Sequence, residues 1–373
     1  MTIKSCPPRR HRRLALLGFA AACLAMASAA PPPTEANLRD GASSYPVKAA
    51  PRRPGGGVTT VAAPVALNPA KAGGIFGRRL AKQDGDKQDG DKQAGKPSGA
   101  KDLLKTLNPF YKQHVTVDGL LIVSSEKVSK YALREAVHLV RKMLAHRPDV
   151  LKKLAAKKTY VCVMAYNEMV TDMPECRGMS PWWDKRARGL GGRPIICAEE
   201  DLLCYEGDPY EGESIFVHEF GHAIHGGLAG LDEQFNKRLK ALYHKTKKTG
   251  RFRAYGMGSF GEFWAEGVQS WFNCNKDGGL EALGPDGEHL CHINTREQVK
   301  KYMPEFAELL DDAFRHNKWV YVPVGKRLDQ PHLRGYDPAK APTFRWPPEV
   351  IEAYNRIEAE RAKKRKQQQN KEK

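Results

Sequence analysis

The chain has 373 residues, of which 28% are charged and 9% aromatic, and its formal net charge is +18. Such a charge would suit a nucleic-acid binder if it lay on folded surface. Counted along the sequence, residues 1–29, 30–100 and 356–373 each carry +5, which leaves +3 for residues 101–355 and argues against a specific nucleic-acid partner.

Residues 1–29 have a basic head (Lys4, Arg9, Arg10, Arg12, Arg13), an apolar run from Leu14 to Met26, and small residues up to Pro31. This order predicts an export signal cleaved near Ala29, and the run is too short for a permanent membrane span. The destination is then outside the cell, the periplasm or the cell envelope. Ala20-Ala21-Ala22-Cys23 offers an alternative, a lipidated terminus at Cys23, but its first position lacks the larger aliphatic residue such signals use. From residue 30 to 100, Pro, Ala, Gly, Lys and Gln dominate, which predicts a disordered linker with too little apolar surface to offset chain entropy. The tandem repeat Gln83–Lys87 and Gln88–Lys92 lacks the spacing and terminal glutamate of a calcium loop and reads as charged linker.

Beyond the signal stand Cys162, Cys176, Cys197, Cys204, Cys274 and Cys291. An even number in an exported chain predicts disulfides, with Cys274 and Cys291, around a Gly-rich loop, the first pair to examine. No C-x-x-C pair marks a cysteine zinc site.

Residues 101–355 are long enough for one sizeable domain. Apolar spacing predicts a helix over Lys130 to His146. Strands follow over Thr159 to Ala165 and Arg193 to Ala198, separated by a loop holding Trp182 and Trp183. Further helices are predicted over Ser214 to Ala223, Leu231 to Thr249, Ser259 to Asn273, and Arg296 to Asn317 as one or two. Helix, small sheet and a mostly helical C-terminal part make an α+β plan. The basic segment Arg356 to Lys373 is predicted to be a disordered tail able to touch anionic surfaces.

His218-Glu219-Phe220-Gly221-His222 is an H-E-x-x-H motif. Two imidazoles at i and i+4 share one helical face and can grip a Zn2+ ion, with Glu219 beside them as a general base for water. A third ligand is needed, and Glu262 on the next apolar helix supplies it. Glu266, one turn later, is placed to accept a hydrogen bond from a ligand histidine. The reverse assignment of Glu262 and Glu266 is the alternative. A third histidine at the metzincin position is missing, since Leu228 stands there, and His225 is expected to line the pocket or to satisfy a helix end.

H-E-F-G-H-A followed by Tyr255-x6-Glu262-Phe-Trp-Ala-Glu266 resembles the glutamate-zincin peptidases of the anthrax lethal factor type. Arg188 to Gly192, Ala198 to Leu203 and Pro209-Tyr210 resemble a group of secreted zincins. The likeness covers residues 130 to 275 and implies a zincin-like fold. It also implies zinc bound by His218, His222 and Glu262, with Glu219 as base and Tyr255 stabilising an oxyanion. The implied activity is hydrolysis of a peptide or protein substrate.

The strand over Arg193 to Ala198 is expected at the cleft edge, where a peptide can add as a further strand. Trp182 and Trp183 are read as subsite, rim or core residues. Glu199 and Glu200 are read as substrate contacts or helix caps. Two other functions stay open: a cell-surface or cell-wall binding module with little catalysis, and a zinc hydrolase of cell-wall peptide crosslinks. Glu219 argues against the first, because a purely structural zinc site has no use for a carboxylate beside it.

Overall fold

A computed structural model describes residues 99–371. The expected signal, Cys23, the linker and its Asp-Gly-Asp repeat lie outside the described residues. The N-terminal part contains α1 (Ala100–Thr106), β1 (Gln113–Val117), β2 (Leu120–Ser124), α2 (Lys130–Met143), α3 (Pro148–Ala156) and β3 (Tyr160–Met164). The middle contains α4 (Trp182–Arg186), β4 (Ile195–Ala198), α5 (Glu199–Leu203), α6 (Ile215–Ala229) and α7 (Phe235–Lys248). Then come β5 (Phe252–Arg253), α8 (Phe260–Trp271), β6 (Glu281–Leu283), β7 (His289–His292), α9 (Arg296–Tyr302), α10 (Pro304–Ala313) and α11 (Pro348–Lys371). The class is α+β.

One sheet has the order β1-β2-β3-β4, with β1 antiparallel to β2 and the other pairs parallel. The β1–β2 hairpin turns at Asp118 and Gly119, both at positive φ (46° and 91°), a two-residue turn whose twist suits the strands. Strands β2, β3 and β4 are buried at every position, as parallel strands covered on both faces are. Alternation splits them: Ile122, Val161, Val163, Ile195 and Cys197 join the main core with α2, α3 and α6. Leu121, Val123, Cys162, Met164 and Ile196 face a smaller core closed by Leu103 and Leu104 of α1.

α2 starts at Ser129, whose hydroxyl accepts from the Tyr131 amide, and buries the stripe Ala132, Leu133, Ala136, Leu139, Val140 and Met143. It stops before Pro148, which opens α3 at a position where its missing N–H costs nothing. Around α6 the core is continuous, and that helix is apolar nearly all round, as a central helix must be. Gly221 lets α8 approach: a Cβ there would touch Val268 at 3.4 Å, and the Trp264 indole donates to the Gly221 carbonyl at 2.8 Å.

Two expectations are corrected. All six cysteines among the described residues are free thiols, so neither Cys274–Cys291 nor another disulfide forms. Cys274 is buried with its Sγ on the Gln269 carbonyl (3.5 Å), whereas Cys291 sits in β7 with Sγ against the His292 carbonyl (2.9 Å). Cys162 and Cys197 point to opposite faces of the sheet. The basic tail is the other: it continues α11 as helix to Lys371. Its Glu, Ala, Arg, Lys and Gln are strong helix formers. The helix docks on α4, where Trp182 stacks on Tyr354 and Arg361 lies 4.1 Å over the indole. Among the described residues no helix is long and apolar enough to cross a membrane.

Candidate metal centre

Strand β4 runs straight into α5, and α5 fixes the start of α6. The buried Asp201 carboxylate accepts from the amides of Ile215 (2.7 Å) and Phe216 (3.0 Å), while Ser214 Oγ accepts from Val217 (3.4 Å). These groups satisfy the open N–H ends of the helix.

α6 then projects His218 and His222 from one face, their ring centroids 5.0 Å apart. α8, capped by Ser259 Oγ on the Glu262 amide (3.2 Å), brings Glu262 across from them. One oxygen, Glu262 Oε2, lies 3.2 Å from His218 Nε2 and 3.5 Å from His222 Nε2. The ligand atoms of His218, Glu219 and His222 all fall within 4.8 Å of one another. His218 is buried, whereas the side chains of His222 and Glu262 are each 23% exposed, so the site opens on their side. For Glu262 burial works upward, but hydrogen bonds from His218 and His222 outweigh it and hold the carboxyl far below its usual range.

Sequence order placed Glu266 behind a ligand histidine, and it does stand 3.5 Å from His218 Nδ1. The closer partner is Gln269, with Oε1 2.9 Å from that nitrogen. Its Nε2 donates to the Ser214 carbonyl (3.0 Å) and to Glu213 (3.2 Å), so its carbonyl end must face the imidazole. His218 therefore directs an Nδ1–H at Gln269, which leaves Nε2 as the nitrogen facing Glu262 and the one that would meet an ion. Gln269 was missed in the sequence, although positions 262, 266 and 269 share one helical face. Glu266 is fixed by Asn275 Nδ2 (2.8 Å), and burial, with the Glu213 charge in support, pushes it up to about 7.

Glu219 lies under a glycine strap. A Cβ on Gly189 would stand 3.0 Å from its Cγ, and one on Gly191 would stand 3.0 Å from its Oε2 and 3.0 Å from His222 Cδ2. The strap is anchored by Arg188, fully buried in an ion pair with Glu200 and 4.8 Å over the Phe344 ring. Glu200 is thus an anchor, and Glu199 accepts from the amides of Ser129 (2.8 Å) and Tyr166 (3.0 Å). Neither faces the metal site. β4 was expected to offer an open edge, but the amide and carbonyl of Ile196 already bond Leu190 at 2.9 and 3.0 Å. The strap covers that edge. Burial pushes Glu219 up against the opposing charges of His218 and His222, and Arg186, also missed in the sequence, adds positive charge nearby.

The Tyr255 ring centroid lies 6.2 Å from that of His218. Ala254 just before it holds φ 88°, ψ −173°, a strained conformation for a residue with a side chain. The amides of Tyr255 and Gly256 are pinned by the carbonyls of Gly278 (3.2 Å) and Gly279 (2.9 Å). Burial first, then the Glu262 charge, keeps the Tyr255 phenol protonated well past its usual range. His225 turns away to Asn236 (2.6 Å) and packs on Phe235 and Phe260. Trp182 donates to Glu358 (2.7 Å) under α11, and Trp183 meets it edge-on, so neither lines the site.

Buried His and Glu groups here can hold a metal ion. Three carboxyl groups, Glu219, Glu262 and Glu266, stand around the two imidazoles, and one of them, Glu262, is held in its charged form by the histidines. Two imidazoles with one carboxylate oxygen between them are a donor set suited to zinc. Comparison with protein-family models, with curated proteins and with solved structures gives no match.

Proposed function

We propose that the chain is an exported zinc-dependent peptidase of the zincin type. The observation that carries this reading is the convergence of His218 Nε2 and His222 Nε2 on one oxygen of Glu262, with Glu219 beside the pair. His218, His222 and Glu262 would hold the ion, which would supply Lewis acidity toward water and a carbonyl oxygen.

Glu219 takes the proton of the attacking water and returns it to the leaving amine. Its ligand atom lies within 4.8 Å of those of His218 and His222, which places it for that shuttle. Tyr255, held protonated, donates a hydrogen bond to the oxygen that gains charge. Gln269 fixes the His218 ring so that Nε2 stays aimed at the site. Export rests on the order of residues 1–29.

The test incubates the purified chain with unfolded protein and with peptidoglycan, with and without a chelator, beside Glu219→Gln. Chelator-sensitive cleavage of unfolded protein is expected, lost in Glu219→Gln while its zinc stays bound. Cleavage of peptidoglycan alone moves the substrate to cell-wall crosslinks. Bound zinc with cleavage of neither points to a binding module and overturns the enzyme reading.

A further inference from the structure

We propose that Glu281, His289 and His292 form a second divalent-cation site, separate from the first and suited to zinc. Strands β6 and β7 are antiparallel, with Glu281 directly opposite His292. Regular alternation would put His289 and His292, three residues apart, on opposite faces. The register shifts instead: Ala282 pairs with Cys291 and Leu283 with His289, which leaves Leu290 as an extra residue. A bulge of this kind re-aims the next side chain, so His289 returns to the face of His292. Their ring centroids are 4.4 Å apart, and the ligand atoms of Glu281, His289 and His292 lie within 4.8 Å of one another.

The surroundings are arranged as around a metal-binding histidine. His292 Nδ1 is buried without a hydrogen-bond partner, 3.7 Å from Glu281 Oε1, which is beyond hydrogen-bond reach. Its other nitrogen, Nε2, faces Asp277 Oδ2 at 3.7 Å, and Asp277 Oδ1 accepts from Asn294 (2.9 Å). Both ring nitrogens thus face a carboxylate at equal distance, and an ion bound at the unpartnered Nδ1 would leave the proton on Nε2, toward Asp277. Glu281 is buried and divides its oxygens: Oε2 takes the Arg253 guanidinium at 2.6 Å, and Oε1 is left toward the histidines. Arg253 thereby positions the carboxylate. Two imidazoles and one carboxylate select a borderline cation such as zinc over magnesium or calcium, which prefer oxygen shells. His289 is exposed, so the cluster is open to an entering ion.

Such an ion ties β6 to β7. β6 also pairs with β5, and the Gly278 and Gly279 carbonyls just before it hold the Tyr255 and Gly256 amides. The second site therefore braces the backbone that carries Tyr255, yet its existence does not depend on the peptidase reading.

The test counts zinc equivalents on the full chain after equilibration with a competing chelator. The expected wild-type count exceeds that of His289→Ala/His292→Ala by one equivalent, while His218→Ala/His222→Ala loses the other equivalent and keeps this one. Circular dichroism establishes that each variant is folded. Should the double variant not fold, His289→Ala, truncated at an exposed position, and Glu281→Gln are read alone. Each is expected to bind the second equivalent about tenfold more weakly or worse. An unchanged count and affinity in these variants overturns the proposal, as does a His218→Ala/His222→Ala chain that is folded and binds no zinc. A wild type that binds only the equivalent lost with His289 and His292 keeps this site and removes the proposed first one.

Discussion

Gln269 Oε1 stands 2.9 Å from His218 Nδ1 and cannot turn away, because its amide nitrogen is spent on Ser214 and Glu213. The glutamine works through the histidine and touches no substrate. Gln269→Ala is expected to weaken zinc at the first site by about 10- to 100-fold while the fold persists. Competition with a fluorescent chelator measures this, and an affinity equal to wild type would show that the imidazole needs no such partner.

Gly191 leaves little room for a side chain. A methyl group would stand 3.0 Å from both Glu219 Oε2 and His222 Cδ2, so these side chains must give by a few tenths of an ångström. Gly191→Ala is expected to lower kcat/KM by about tenfold or more, roughly 1.4 kcal/mol of transition-state stabilisation, with little loss of melting temperature. Full activity in a folded Gly191→Ala would mean that the strap leaves Glu219 free to move.

Glu199 makes stability depend on pH. Burial first, then the charges of Glu200 and Glu168, raises it from 4.5 to about 7 against the two amides it accepts from. The folded state thus binds a proton that the unfolded chain has already released between those values. The stability linked to this group is full below about 4.5 and is lost as pH rises toward about 7, by up to about 3 kcal/mol. Denaturant titrations from pH 4.5 to 8 should show a smaller decline in Glu199→Gln than in wild type. Parallel curves would remove Glu199 as the cause.

The parts legible in the sequence were those with strong periodicity or fixed chemical spacing. The His218–His222 pair follows from helical geometry alone, and the apolar runs of β3 and β4 mark buried strands. The β1–β2 hairpin is weakly marked despite the Asp118-Gly119 turn signal, because β1 alternates with little apolar weight. Gln269 carries no charge and stands out in no motif, and its role depends on Ser214 and Glu213 fixing which end faces His218. The strap over β4 depends on Arg188 pairing with Glu200 across a loop. Likewise α11 is mostly polar and gains its place from Trp182, far away in the chain. Such tertiary partners leave no local pattern.

The most direct measurement is the zinc content of wild type beside Glu262→Ala and Glu266→Ala. Glu262→Ala should lose one equivalent, because its Oε2 is the oxygen that lies between His218 and His222. Glu266→Ala should keep that equivalent with weakened affinity. Zinc fully retained in Glu262→Ala and lost from Glu266→Ala would contradict the ligand set proposed for this centre.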